Sequence, residues 1–374
     1  MARVVVGMSG GVDSSMAAAL LKEQGYDVVG IMLRLWAEPP TEGEEDGDDG
    51  EDAPLRENAC CSIESLGDAR RVAAQLDIPF YVINVEEPFR ETIVDYFYEE
   101  YRAGRTPNPC LRCNRYIRFT LLLERALALG ADYLATGHYV RVDDDPATGL
   151  RRLRRAVDAS KDQSYVLHVL SQEQLRHALF PLGSYTKPEV RAMAAERGLP
   201  VATKAESQEI CFVAANDYRG FVRRYAEAKG QPAPEPGPIL DLAGRRLGAH
   251  TGLANYTVGQ RKGLGVSARE PLHVLRLDGA QNAVIVGPAA ALERDTFTVR
   301  QTTWTRDTPP DGPTPVEVKV RYKAPLVPGV VTPLPDGRTA VTLEQPIRAV
   351  TPGQAAVFYG GASGDEALGG GLIE

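Results

Sequence analysis

A strand that runs straight into a glycine–serine turn and then a helix constrains this chain most: Val4-Val5-Val6-Gly7-Met8-Ser9-Gly10-Gly11-Val12-Asp13-Ser14-Ser15. Three consecutive valines suit a strand covered on both faces, as in a parallel sheet with helices on each side. Glycines let backbone amides approach anionic oxygens, serine hydroxyls add donors, and the opening helix points its positive end at the same place. The turn therefore reads as a phosphate cradle made by Gly7, Met8, Ser9, Gly10, Gly11, Val12, Asp13 and Ser14. No lysine follows the glycines, so this is not a Walker loop, and the G-x-G-x-x-G spacing of dinucleotide sites is missing. A carboxylate beside phosphates needs a cation between them, which assigns Asp13 to Mg²⁺. The competing reading is an ordinary glycine-rich strand-to-helix turn.

The first half continues to alternate. Strand-like runs cover Val28 to Leu33, Phe80 to Val85 and Ala131 to Thr136, and helical ones cover Ser65 to Leu76, Glu87 to Arg102 and Leu121 to Ala128. That alternation predicts an α/β fold, a Rossmann-like parallel sheet over residues 1–208. Gly230 to Pro238 is a proline-rich connection, stiff and without regular structure. Beyond it the signals are short strands and turns: a hairpin at Asp241 to Arg246 and another at Val330 to Leu343 around Pro335-Asp336-Gly337. Val316 to Lys323 alternates apolar and basic residues, which puts Arg321 and Lys323 on a strand. We expect a small central domain over 209–284 and an antiparallel β-barrel over 285–374.

The net charge of -8 conceals its distribution. Glu38 to Glu57 holds ten acidic residues and one arginine, so the remaining chain has 40 acidic against 41 basic residues. A like-charge run broken by Gly and Pro cannot bury itself and is expected to be disordered. The folded part can then carry basic patches, and a nucleic-acid partner is compatible with the composition. No run of eighteen apolar residues is present, so no membrane span is expected. The short N-terminal apolar run is a first strand rather than a signal-peptide core, and the protein is expected in the cytoplasm. The five cysteines, Cys60, Cys61, Cys110, Cys113 and Cys211, are too few and scattered for a disulfide framework. In a reducing compartment they point to metal binding or catalysis.

The glycine turn resembles the PP-loop, Ser-Gly-Gly-x-Asp-Ser, of N-type ATP pyrophosphatases, which split ATP between the α and β phosphates to activate an oxygen as an adenylate. Two further segments carry cysteines, Thr106-Pro107-Asn108-Pro109-Cys110-Leu111-Arg112-Cys113-Asn114 and Ser207-Gln208-Glu209-Ile210-Cys211-Phe212. With the PP-loop they resemble the tRNA-specific 2-thiouridylase family, which places sulfur on the wobble uridine, position 34, of certain tRNAs. The likeness extends through Ala135-Thr136-Gly137-His138-Tyr139, Ser160-Lys161-Asp162-Gln163-Ser164-Tyr165, His250-Thr251-Gly252-Leu253, Thr257 to Gly265, and Arg348 to Gln354. It spans nearly the whole chain.

The resemblance implies ATP on the PP-loop, with Leu33 and Gly137 at the adenine, and Mg²⁺ at Asp13. It implies a persulfide on Cys211 as sulfur carrier and Cys113 as the second catalytic cysteine. It places Lys161, Asp162, Gln163, Arg321 and Tyr322 against tRNA, and Asn108, Pro109 and Cys110 beside the target base. His138, at a strand's carboxyl end, where ligands bind in open α/β sheets, is expected near the substrate, and Gln354 near the active site. The implied partners are the tRNAs for Lys, Glu and Gln and a sulfur donor, such as a cysteine desulfurase or relay protein. Arg112, Arg115 and Arg118, three apart, would line one helix face. With Arg151, Arg152, Arg154, Arg155, Arg219, Arg223, Arg224, Arg261 and Lys262 they read as phosphate contacts or as solvated charged faces.

The chain departs from the family pattern at Cys110, where many members have Asp. Three thiols, Cys110, Cys113 and Cys211, then suit a [4Fe–4S] cluster with one open iron as well as cluster-free persulfide chemistry. A structural zinc site recruiting Cys60 or Cys61 is the third alternative. Two other functions stay in view: a PP-loop synthetase that adenylates a small molecule, and a nucleotide-binding protein without turnover.

Overall fold

Val4, Val5 and Val6 are almost wholly buried, as a strand covered on both faces must be. They form β1 (Arg3–Gly7), followed by α1 (Val12–Glu23), β2 (Asp27–Arg34), α2 (Ile63–Gln75) and β3 (Phe80–Asn84). This computed structural model describes residues 1–38, 62–206, 210–232, 234–348, 350–361 and 363–374. Cys60, Cys61, the Ser207-Gln208-Glu209 segment and all of the acidic run but Glu38 lie outside the described residues.

The first unit comprises residues 1–93 and 110–217. Its sheet adds β4 (Tyr133–Ala135) and β7 (Ala178–Leu179) in the order β3-β2-β1-β4-β7, every pairing parallel. Between them β5 (Val140–Asp144) and β6 (Arg151–Arg155) form an antiparallel hairpin. The core packs α1, through Met16, Ala17, Ala18 and Leu21, and α2, through Ala69, Val72 and Ala73, around β1 and β2. Side chains cap two helix starts: Ser62 accepts from Ser65 N at the start of α2, and Ser171 forms a capping box with Gln174. Cys113–Leu122 is a π-helical run between helices Pro109–Arg112 and Leu123–Ala128.

The second unit comprises residues 94–109 and 218–374. Helix Asp95–Arg102 packs on helix Tyr218–Ala228 through aromatic pairs, Phe97 with Phe221 and Tyr101 stacked on Tyr218. A four-stranded sheet, β10-β11-β8-β9, is built from β8 (Gly237–Leu240), β9 (Arg246–His250), β10 (His273–Asp278) and β11 (Ala283–Gly287). Six further strands follow: β12 (Glu293–Trp304), β13 (Thr314–Lys319), β14 (Val327–Pro333), β15 (Thr339–Arg348), β16 (Ala355–Gly360) and β17 (Glu366–Ile373). They pair antiparallel, and β12 to β17 closes the barrel, which leaves no open edge. The expected parallel α/β sheet, small central domain and C-terminal barrel are all present. The turn at Pro335-Asp336-Gly337 joins β14 to β15, with Gly337 at φ +81°, a region glycine enters without strain. One expectation is corrected: β13 ends at Lys319, so Arg321 and Lys323 lie in the turn after it. The apolar–basic alternation outran the hydrogen-bonded ladder.

Candidate active site

Strand order reverses at β1, which has β2 on one side and β4 on the other. In open α/β sheets, ligands bind beyond the carboxyl ends of the strands at that reversal. The glycine turn leaves β1 there and Thr136-Gly137-His138 leaves β4 there. Ser14 Oγ accepts from Ser9 N at 3.1 Å and donates to Gly11 O at 3.2 Å, so the hydroxyl folds the turn over the helix start. Gly10 has φ +70°, and a Cβ there would stand 2.1 Å from Ser65 O. At Gly11, by contrast, the only described atom that a Cβ would meet is Ser9 Oγ at 3.6 Å, so among the described residues the space in front of the α1 N-terminus is open. Gly137 packs so closely on α1 that a Cβ would lie 2.6 Å from Asp13 C. Open space, glycine backbone and serine donors at a helix N-terminus fit a nucleotide's phosphates. Met8 is buried, and Leu33 is half-buried on β2 opposite Ile83 of β3.

Asp13 has a partner that the sequence did not announce. Lys187 Nζ donates to both its oxygens at 2.8 Å, and Tyr139 Oη donates to Oδ1 at 2.7 Å. Lys187 also meets Glu206 Oε1 at 3.0 Å, and Glu206 Oε2 accepts from Lys161 at 2.6 Å. Burial pushes the Glu206 carboxyl up, but hydrogen bonds from the two lysines outweigh it and hold the group at about 2. Burial, then the Asp13 charge, pushes the Tyr139 hydroxyl far above its ordinary range. The Mg²⁺ assignment therefore meets an Asp13 whose oxygens are occupied by an ammonium. Lys187 opens helix Lys187–Glu196, where the helix dipole disfavours a cation, and the carboxylates of Asp13 and Glu206 offset that cost.

The Pro109–Arg112 helix presents Cys110 at the surface, and Cys113, first residue of the π-helical run, is buried. Asn114 beside it is buried and donates to Val166 O at 3.1 Å, which anchors the cysteine segment. Cys211 is half-buried, and the adjoining Phe212 packs edge-on against Phe89. Among the described residues no three His, Cys, Asp or Glu side chains are gathered to hold a metal ion. Cys60 and Cys61, which the zinc alternative would recruit, lie outside the described residues.

The residues expected at tRNA divide. Lys161 and Gln163 are half-buried, while Asp162 is 3% exposed and accepts from Ala156 N, Ser164 N, Ser164 Oγ and Arg155 Nε. Its carboxylate is spent inside the chain. Gln163 is pinned to Tyr139 by two hydrogen bonds, Tyr139 N to Gln163 Oε1 and Gln163 N to Tyr139 O. His138 is buried, shares a 2.7 Å hydrogen bond with Thr136 Oγ1 and lies against Phe119 and Phe180. Burial, then the Arg118 charge, pushes its imidazole down to about 3, so it is neutral at pH 7. Arg321 donates to Thr351 Oγ1 at 2.6 Å, and Lys319 Nζ stands 5.8 Å from the Tyr322 ring. Gln354 Nε2 donates to Thr106 O at 2.9 Å and Pro107 O at 3.4 Å, gripping the chain just ahead of Asn108 and Pro109.

The arginine clusters are less available than their spacing suggested. Arg151, Arg152 and Arg154 pair with Asp144 and Asp143, and Arg155 with Asp162. In the π-helical run the Leu123 amide reaches back five residues to Arg118 O, so a spacing of three no longer marks one face. Arg112 and Arg115 instead flank the Tyr116 ring at 4.9 and 5.4 Å. Arg261 and Lys262 are exposed.

Three family models cover the chain. One described as tRNA methyl transferase HUP domain matches residues 2–215, one described as tRNA methyl transferase PRC-barrel domain matches 221–288, and one described as Aminomethyltransferase beta-barrel domain matches 294–373. The chain is 49% identical to the tRNA-specific 2-thiouridylase MnmA of Roseiflexus castenholzii, over 100% of this chain and 99% of that one. It is 51% identical to the tRNA-specific 2-thiouridylase MnmA of Chloroflexus aurantiacus, over 100% and 98% respectively. Among solved structures, the U34-tRNA thiolase NcsA from Methanococcus maripaludis with its [4Fe-4S] cluster aligns at 19% identity and TM-score 0.32, over 61% of this chain and 66% of that one. That likeness is too slight to carry an argument.

Proposed function

This chain belongs to the tRNA-specific 2-thiouridylase MnmA family, and we propose that it thiolates C2 of the wobble uridine of tRNA at the expense of ATP. The observation that carries the reading is identity near one half along the full length of relatives so named. The glycine turn at the strand-order reversal supports the ATP-using half of the reaction, and Cys113 and Cys211 support the sulfur-transfer half.

Uracil O2 is a poor leaving group. It attacks the α-phosphorus of ATP, pyrophosphate departs, and C2 then carries an adenylate. The amides and hydroxyls of Ser9 to Ser14 hold the phosphates and stabilise the charge that builds on them. Mg²⁺, when bound, neutralises part of that charge, with Asp13 the residue that would hold it. Sulfur arrives as a persulfide on Cys211, supplied by a donor protein. In one route Cys113 attacks Cys211 Sγ and releases sulfide, which adds to C2 and expels AMP. In the other the outer persulfide sulfur adds to C2 and expels AMP, and Cys113 then attacks Cys211 Sγ to free the thiolated base. Both leave a Cys113–Cys211 disulfide, which a two-electron reductant must reopen. To meet C2, the base must leave the anticodon stack.

The tRNAs for Lys, Glu and Gln are the proposed substrates and the cytoplasm the proposed location. Among the described residues no helix is long and apolar enough to cross a membrane. The test combines protein, unmodified tRNA, Mg-ATP and a persulfide donor, followed by mass spectrometry of the digested RNA. 2-Thiouridine is expected at position 34, lost with Cys211→Ala. Pyrophosphate release without thiolated RNA would overturn the substrate and keep the ATP chemistry.

A further inference from the structure

Lys187, Glu206 and Tyr139 touch Asp13 or a group that does, yet the thiolation chemistry above uses none of them. Lys161, Glu206, Lys187 and Asp13 form a chain of alternating charge with contacts of 2.6, 3.0 and 2.8 Å. An ammonium has three donors, and those of Lys187 are matched by Asp13 Oδ1, Asp13 Oδ2 and Glu206 Oε1. Glu206 divides its oxygens, Oε1 to Lys187 and Oε2 to Lys161. Lys187 is buried, and its backbone amide is fixed on Asp158 Oδ2 at 3.0 Å, so its flexible stem pivots from a fixed point with both carboxylates in reach of the ammonium. A second path joins the same ends: Gln163 is pinned to the Tyr139 backbone, and the Tyr139 hydroxyl rests on Asp13. The segment expected at tRNA and the acid of the phosphate loop are thus linked twice.

We propose that Lys187 is a positioning residue that keeps Asp13 from Mg²⁺ until tRNA draws Lys161 away from Glu206. When a backbone phosphate takes Lys161, Glu206 loses one of its two cations and bears fully on Lys187. The ammonium shifts its weight from Asp13 to Glu206, and Asp13 becomes available to the metal that accompanies ATP. The enzyme then commits ATP only when tRNA is in place. The inference rests on the reading of Lys161 as a tRNA contact, and it deepens that reading by naming what the contact does. Linkage makes it reciprocal: tRNA and Mg-nucleotide tighten one another by the same factor.

The test uses the full chain with α,β-methylene-ATP, which cannot be split at the reacting bond, titrated with Mg²⁺ with and without a tRNA transcript. In the unaltered protein, tRNA is expected to lower the Mg²⁺ needed for half-maximal nucleotide binding by about five- to tenfold. Lys161→Met should show that lower requirement without tRNA, and tRNA should change it no further. Glu206→Gln leaves Lys187 entirely to Asp13, so the requirement should rise and again be insensitive to tRNA. These opposite signs are not what two merely damaged sites would give. Shifts in the same direction, or coupling of unaltered size in both variants, would overturn the relay. If the unaltered protein fails to bind tRNA, the functional reading falls. The tRNA-free shifts of the two variants then decide the relay on their own.

Discussion

Gly137→Ala should disable the phosphate loop from outside it. Gly137 ends the β4 exit against the first turn of α1, and a Cβ there would lie 2.6 Å from Asp13 C, 2.7 Å from Ser14 N and 2.9 Å from Asp13 O. All three are backbone atoms, which cannot swing aside as a side chain would. Carbon contacts settle at about 3.5–4.0 Å, so the helix start must move by about 1 Å. Overpacking of this kind costs about 1–3 kcal/mol, a fall of about 2–12 °C in Tm for a unit this size. The atoms displaced belong to the turn at which the nucleotide is proposed to bind, and a misplacement of about 1 Å at a reacting site costs about a hundredfold in rate. Gly67→Ala is the control. Gly67 lies inside α2, and among the described residues its added Cβ would meet only Arg71 Nη1 at 3.6 Å. Relief of the helix-interior glycine should stabilise by about 0.5–1 kcal/mol. Thermal unfolding with ATP titration by calorimetry reads both variants. A Gly137→Ala protein with unaltered Tm and ATP affinity would refute the argument that this contact shapes the loop.

Two further outcomes follow from buried groups outside the loop. Asp162→Ala strips the acceptor from Ala156 N, Ser164 N, Ser164 Oγ and Arg155 and should cost about 2–4 kcal/mol in urea unfolding, with Asp162→Asn costing less. His138, pushed down to about 3 by burial and then by Arg118, has a folded value below its ordinary one. Its contribution to stability is therefore complete above pH about 6.5 and drains away as pH falls toward 3. Its ring proton resonances should stay constant between pH 8 and 5, and an inflection near pH 6.5 would contradict the buried, neutral ring.

The parts of this molecule legible in its sequence are those set by neighbours along the chain. Val4 to Ser15 specifies strand, turn and helix with residues a few positions apart, and the Pro335-Asp336-Gly337 hairpin is equally local. What could not be read depends on pairing across long separations. Arg151, Arg152, Arg154 and Arg155 looked like a nucleic-acid surface. The β5–β6 register then sets Asp143 opposite Arg152 and Asp144 opposite Arg151, and the charges largely answer one another. Asp162 and Gln163 matched a family contact, yet one carboxylate is consumed by Ser164 and its neighbours and one amide by Tyr139. Arg112, Arg115 and Arg118 follow a spacing rule that presumes 3.6 residues per turn, and the π-helical run does not obey it.

Where the acid of this phosphate loop finds its counter-charge explains why part of the site escaped a linear reading. A Walker loop carries its lysine in the turn itself, so charge and cradle are inseparable. Here the turn has none, and the ammonium that meets its acid, Asp13, is that of Lys187, far along the chain at the start of another helix. A cation borrowed from elsewhere answers to whatever else surrounds it: Asp158 fixes its backbone, and Glu206 competes for its charge with Asp13. A lysine inside the turn could be adjusted only by distorting the cradle. One held between two carboxylates is adjusted by changing the partner of either, and Glu206 shares its other oxygen with Lys161, the residue at which tRNA is expected.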